Sequence, residues 1–539
     1  VDADRAALNR LPRWFVAALV AGPVCVLAVF YVWPLATLAA TVLDAGSVRR
    51  TLHLPGLGQV VWFTLWQATV STAATLAVGF VPAYVLARFR FPGRGALRAL
   101  VTVPFMLPTV VVGAAFLALL PRDLHGTALA VVVAHVFFNV AVVVRLVGGM
   151  WAVLPHDLTA AARTLGASPA QLLRHVVLPL LRPALIASAA VVFLFTFTSF
   201  GVVTLLGGAA RPTLEVEIAR RATQLGDVDG AAVLALLQLV LLAVVVALAA
   251  RWQRRAATSL TGDAGTRRPR RAGERLLVVL TALATTAAMA TPMVVLVVRS
   301  LRIRGRWTLA AWRDLTATEV RPGISFGIDP LASLTVSLRL AVVATAISLA
   351  VGAVAALAIG AARRHGRLLD VGIMLPLGTS AVTIGLGMLV TFDTAPVDWR
   401  ARWWLIPVGH ALVAIPFVVR ALLPVLRAQP ADLRAAAATL GASPMRAWWA
   451  VDVRALRRPL LTGAGFAAAI SLGEFGATTF LTRSGRETVP IAIGRLLGRT
   501  GDLPRAQAFA LATMLLVATG AIIAAIDATE RGATDARRA

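Results

Sequence analysis

Apolar stretches of more than about 18 residues recur from one end of this chain to the other, each long enough to cross a bilayer as a helix. Nothing else in the sequence restricts the fold as strongly. Spans are expected near 14–43, 59–87, 98–120, 127–149, 183–206 and 231–250, then near 276–299, 333–362, 369–392, 403–426, 459–481 and 505–527. The fold class is therefore an all-α polytopic membrane protein with about twelve transmembrane helices. With 59% hydrophobic and only 14% charged residues in 539, the apolar mass is spread over spans and not gathered into one soluble core. Pro104, Pro108 and Pro376 fall inside the runs and predict kinks that neighbouring helices must satisfy.

The net charge of +27 comes entirely from arginine, since the chain has no lysine. The arginines cluster at span ends, which is the positive-inside pattern and leaves no basic soluble domain for nucleic acid. Arg5, Arg10 and Arg13 precede the first span, and Arg88, Arg90, Arg94 and Arg98 fill the second-to-third connection. Arg363, Arg364 and Arg367 fill the corresponding connection later. A central stretch, 251–275, carries eight arginines with Gly and Pro and reads as a flexible basic tether. With twelve spans all these segments share one side, the cytoplasm, together with both termini. Arg49, Arg50, Arg302, Arg304 and Arg306 fall on the other side, so the rule holds as a bias. The run 14–43 is too long for the core of a cleavable leader. The single cysteine, Cys25, can form neither an internal disulfide nor a thiolate metal site. A bacterial inner or plasma membrane is the expected location.

The two halves repeat. Thr164-Leu165-Gly166-Ala167-Ser168-Pro169 returns as Thr439-Leu440-Gly441-Ala442-Ser443-Pro444, an offset of 275. The same offset links His135 to His410, Arg145 to Arg420, Pro155 to Pro430, Asp157 to Asp432 and Phe200-Gly201 to Phe475-Gly476. One register held over so long a stretch is a duplication. The expected organisation is a first repeat over 1–250, the basic linker 251–275 and a second repeat over 276–539. An even number of spans in each half gives the copies one orientation and a pseudo-two-fold axis along the membrane normal, with a path between them.

The duplicated segment between the fourth and fifth spans of each half has the composition of a short helix, a glycine turn and a second amphipathic helix. Asp157 or Thr159 can cap its start, alanines favour the helix, and Gly166 suits its stop. Asp432, the alanines 435–438 and Gly441 repeat the pattern. This pattern resembles the E-A-A-x3-G-x9-I-x-L-P loop of bacterial ABC importer permeases of the type I kind. Ala160, Ala161, Ala162 and Gly166, then Val176 and Leu178-Pro179, occupy the matching positions, as do Ala435, Ala436, Ala437, Gly441 and Val451 in the second copy. Pro169 and Pro444 follow each turn. Ala160 and Ala435 stand where the family has glutamate, and Val453-Arg454 where it has Leu-Pro, so any salt bridge through that glutamate is missing.

The resemblance implies that these loops dock on a separate ABC ATPase, working as a homodimer that uses ATP and Mg. It also implies an extracytoplasmic solute-binding protein that delivers the cargo. The chain itself is expected to bind no cofactor or metal and to carry no catalytic residue. A Walker phosphate loop needs a lysine the chain lacks. The fused layout is similar to the thiamine and ferric-iron importer group. Ala134 to Asn139, Thr198 to Val203 and Leu234 to Gln238 look like the thiamine members, which makes thiamine the first expected cargo and ferric iron the second.

Trp66, Phe138, Phe197, Ser199, Glu474 and Phe475 are the candidate lining of a translocation path. An intramembrane carboxylate is costly, so Glu474 either attracts a cation such as thiamine or pairs with an arginine or a helix end where Gly473 and Gly476 bend the span. Its repeat partner is Ser199, which makes any cargo contact asymmetric. His135 and His410 read as interhelical hydrogen-bonding groups before iron ligands. Two rivals remain: a secondary carrier with parallel six-helix repeats, and a membrane-embedded enzyme. The paired loops argue against the first. The second needs an interfacial catalytic cluster, and no diagnostic spacing supplies one.

Overall fold

The computed structural model describes residues 12–42, 45–208, 211–256, 265–316, 319–321, 324–325, 329–361, 363–393, 397–429, 431–483 and 485–535. Arg5, Arg10, Pro430 and the middle of the linker, 257–264, lie outside the described residues. So do the side chains of Asp157, Arg254, Arg255, Arg363 and Arg364.

Among the described residues the regular structure is helical apart from two small antiparallel pairs, Arg302–Ile303 with Arg306–Trp307 and Glu319–Arg321 with Ile324–Ser325. In lipid each backbone polar group must be satisfied within its own segment, and runs of Ala, Val and Leu do this as helices. Nine described helices are long and apolar enough to span a membrane, and up to eleven if each bent pair counts once.

The difference from about twelve kinked spans has local causes. Arg94–Met106 and Thr109–Leu119 meet at 105°, because Pro108 has no N–H to continue the ladder and holds Leu107 extended. Gly366–Gly378 and Ala381–Thr391 meet at 96°, where the Ser380 hydroxyl accepts from the N–H groups of Val382 and Thr383 and starts a new helix. The run expected near 459–481 is split into Arg457–Gly473 and Gly476–Leu481 at Glu474 and Phe475. The run expected near 183–206 is a longer helical segment, Pro169–Phe197, followed by the separate Gly201–Leu206.

The duplication is visible element by element. Leu57–Arg88 packs on Ala128–Ala152, as Pro330–Ala361 packs on Leu405–Arg427. Each pair closes on a glycine: a Cβ at Gly79 would lie 2.8 Å from Val143 Cβ, and one at Gly352 would lie 2.7 Å from Val418 Cγ1. Small residues let membrane helices approach this closely.

The first span of each repeat packs against the other repeat. Arg13–Leu27 lies on Pro330–Ala361, and Trp33–Thr41 on Ala381–Thr391. Reciprocally, Ala272–Ser300 lies on Arg94–Met106 and Thr109–Leu119.

Part of the linker is held in place, in contrast to the flexible tether expected over 251–275. Val228–Ala256 carries its helix past the membrane end, and Arg267 is fixed on the 88–90 loop. The Arg267 N–H donates to Arg88 O at 3.1 Å, and Arg90 N–H donates to Arg267 O at 2.8 Å. The guanidinium forks onto Glu274 at 2.9 and 2.6 Å and sits 4.9 Å above the Phe89 ring.

At the centre, Ala381–Thr391 crosses Gly476–Leu481 through Gly385, where a Cβ would fall 2.6 Å from Ala477 Cα and 2.9 Å from its carbonyl oxygen. Backbone cannot give way as a side chain does. Gly385→Ala is therefore expected to destabilise the chain by about 1–3 kcal/mol, read as a lower thermal unfolding midpoint in detergent. An unchanged midpoint rules out so close a crossing.

Candidate functional site: paired loops and a central path

Each duplicated loop leaves the C-terminal end of a long span, Ala128–Ala152 or Leu405–Arg427. The short helices His156–Thr164 and Ala431–Thr439 follow, containing Ala160 to Ala162 and Ala435 to Ala437. Asp157 and Asp432 fall in their first turns. Gly166 and Gly441 then take φ of +82° and +81°, the left-handed conformation that favours glycine. The turns close alike: Ala167 N–H donates to Ala162 O and Ala442 N–H to Ala437 O, both at 3.0 Å. Ser168 and Ser443 cap the next helices, with Pro169 and Pro444 in their first turns. Both helices widen into π-turns, Leu173–Val177 and Trp449–Val453. One feature is not duplicated. Arg434 pairs with the buried Asp452 in the second loop, where the first has Thr159 and Val177.

Leu165 and Leu440 are 87% and 88% exposed, the largest exposures among the large apolar side chains of the described residues. Each sits just before the left-handed glycine, beyond the packed face of its helix, and reaches into solvent at the tip of its loop. Neither was singled out from sequence, although an apolar residue next to a helix-ending glycine is a readable signal.

The path lies at the other end of the same spans. Phe200 and Phe475, related by the repeat, stack across the pseudo-axis with centroids 4.9 Å apart and planes 26° from parallel. They wall two cavities at once. A vestibule of about 970 Å³ includes Arg122 and His125, which precede the N-terminal end of Ala128–Ala152 and so lie opposite the loops. A second cavity of about 270 Å³ lies beyond the ring pair. The stack is thus a closed partition between them.

Of the expected path residues, Phe138, Ser199, Glu474 and Phe475 line the second cavity. Trp66 and Phe197 do not. Trp66 stacks on Phe63 in a separate outer groove with Arg220 and Arg221. Phe197 is fully buried against Phe193, in packing.

Glu474 is 6% exposed, and its carboxylate is occupied. Oε1 accepts from Ala477 N–H at 2.9 Å, while Oε2 accepts from Thr478 N–H at 2.9 Å and from its hydroxyl at 2.6 Å. The group closes the start of Gly476–Leu481, so of the two readings offered by the sequence the geometry fits the helix end. His410 lies 3.5 Å away and bonds Ser471 and Thr478 at 2.8 Å each. His135 bonds Ser71 at 3.1 Å and Ser199 at 2.9 Å. Both histidines therefore tie helices together. Among the described residues no group of three His, Cys, Asp or Glu is placed to hold a metal.

A second buried carboxylate in this cavity escaped the sequence reading. Glu215, 0% exposed, belongs to Leu214–Arg220, a short helix that dips back between the halves. Hydropathy alone assigns that stretch to a polar connection.

A helical pair of repeats with twin exposed loops at one end and a gated path between them defines a membrane permease. Residues 77–259 match the family described as binding-protein-dependent transport system inner membrane component. Over that stretch the chain is similar to permeases of the ABC importer class, and its long apolar helices make it a multi-pass membrane protein. It is 26% identical to the thiamine transport system permease protein ThiP of Salmonella typhimurium, over 90% of this chain and 92% of that one. It is 28% identical to the protein of the same name from Brucella suis, over 85% of each. A shorter match, 38% identical over 158 residues, joins 27% of this chain to 57% of the sulfate transport system permease protein CysT of Salmonella typhimurium.

Proposed function

We propose that the chain carries thiamine into the cytoplasm as the fused permease of an ATP-driven importer. The observation that carries the cargo is the similarity to thiamine permeases over nearly the whole of both chains. The twin loops support docking of an ABC ATPase homodimer, which binds and hydrolyses ATP with Mg while this chain binds no cofactor. An extracytoplasmic binding protein delivers cargo to the arginine-bearing vestibule. Closure of the ATPase pair draws the loops together and rocks the repeats 1–250 and 276–539, joined by the basic linker 251–275, so that the Phe200–Phe475 partition opens. In this reading the loops, the linker and both termini are cytoplasmic.

Uptake of labelled thiamine and of ferric iron, in cells deleted for the gene, tests this. Thiamine uptake is expected to vanish, to return with the wild-type chain, and to stay absent with Gly166→Val plus Gly441→Val. Each valine is forced into a left-handed conformation costing about 1–3 kcal/mol. Loss of iron uptake alone replaces thiamine with ferric iron as the cargo, and loss of neither rejects both.

A further inference from the structure

Two carboxylates border the inner cavity, and the protein treats them unequally. Glu474 is satisfied by the helix it starts. Glu215 has only neutral neighbours: one oxygen accepts from Gln238 Nε2 on Val228–Ala256, and the Ser380 hydroxyl lies within hydrogen-bonding reach of the group. The nearest arginines in sequence are engaged elsewhere, since Arg220 and Arg221 both pair with Glu217 at 2.9 Å. Among the described residues no arginine or histidine forms an ion pair with Glu215.

A carboxylate buried in a membrane protein without a counter-charge is costly, and such groups mark ion and substrate pathways. The rest of the cavity indicates which cation fits. Phe105, Phe138, Phe195, Phe417 and Phe466 present ring surface around it. Aromatic walls favour organic cations, through ring faces that attract charge and apolar area that small hydrated ions do not use. The volume of about 270 Å³ suits one small heteroaromatic molecule. The repeat counterpart of Glu215 is Pro490, so the cavity holds one such unpaired carboxylate and not a symmetric pair.

We infer that this cavity is a binding station for a monovalent organic cation in transit, with Glu215 as its counter-charge and the phenylalanine faces as its walls. The inference rests on the reading of the cargo as thiamine, whose thiazolium ring is such a cation. Gln238 then positions the carboxylate, and the Phe200–Phe475 stack separates the station from the vestibule.

The test uses the full chain with its ATPase and binding protein in proteoliposomes. It compares thiamine with a neutral isostere carrying thiophene in place of thiazolium, after correction for how the binding protein holds each. Wild type is expected to favour the cation at least about ten-fold in kcat/KM, and Glu215→Gln to reduce that ratio to within about two-fold. The ratio is insensitive to the amount of assembled complex. A variant that keeps the wild-type ratio overturns the station, because glutamine mimics a protonated, cargo-indifferent acid. If Glu215→Gln does not assemble, Phe417→Leu decides: it keeps apolar volume but removes a ring face, and the ratio must fall several-fold. Direct binding of benzyltrimethylammonium to the full chain in nanodiscs separates the two readings. Glu215-dependent binding without thiamine transport overturns the cargo and keeps the station. Thiamine transport with unchanged ratios in both variants does the reverse.

Discussion

Replacing Leu165 and Leu440 together with aspartate is expected to strip the ATPase from the permease and reduce transport to background. These two side chains are almost fully in water and sit at the same place in each loop. Burial of a leucine stabilises by about 1.5–3 kcal/mol, so in the proposed docking the pair would contribute roughly 3–6 kcal/mol, a hundred-fold or more in affinity. Charging them opposes that burial directly. The chain itself should not suffer, because the exposed side chains support no internal packing. Co-purification of the ATPase through a tag on the permease, with thermal unfolding of the permease alone as control, reads both effects. Retained ATPase with lost transport would move the contact to another part of the loops. A drop in unfolding temperature would show that the leucines serve the fold.

The second large effect concerns the partition. Phe200→Ala with Phe475→Ala removes both rings of the stack that separates the 970 Å³ vestibule from the inner cavity. The stacked pair contributes about 0.5–1.5 kcal/mol beyond its buried area. Passive leak of a small solute through the double variant in proteoliposomes, without ATP, is expected to rise at least about ten-fold, a change in barrier of about 1.4 kcal/mol. Each single variant should leak less, since one ring still blocks part of the opening. A double variant as tight as wild type would place the barrier elsewhere, and transport assays on it would then report only packing.

Much of this was legible before any coordinates, for a physical reason. The loops are local: glycine at a left-handed turn, serine and proline at a cap and alanines in a short helix act over a few residues, and their recurrence at one offset names them twice. The helical membrane class follows as directly from hydropathy. Geometry between segments was less accessible. The prolines in the apolar runs near 98–120 and 369–392 predict kinks, but not that Pro108 and the Ser380 cap turn the chain by about a right angle. Trp66 and Phe197 are aromatic like the residues that line the inner cavity, and only rotation about their helices sends one to an outer groove and the other into packing. Glu215 lay in a stretch too short and polar to be read as membrane-embedded. The interior position of that stretch depends on the two halves meeting around it.

The exchange of first spans has a consequence for how such a chain is made. Arg13–Thr41 is synthesised at the start, but the surfaces it covers, on Pro330–Ala361 and Ala381–Thr391, emerge roughly 300 residues later, about 15–60 s at ordinary elongation rates of about 5–20 residues per second. Until then the span has only part of its contacts, those of Trp33–Thr41 with Val228–Ala256 of its own repeat, so the first half cannot reach its final packing before the second has been inserted. Biogenesis of this permease is therefore a single event spanning both copies, and a ribosome stalled between them leaves a helix in the bilayer whose remaining partners have not yet been made.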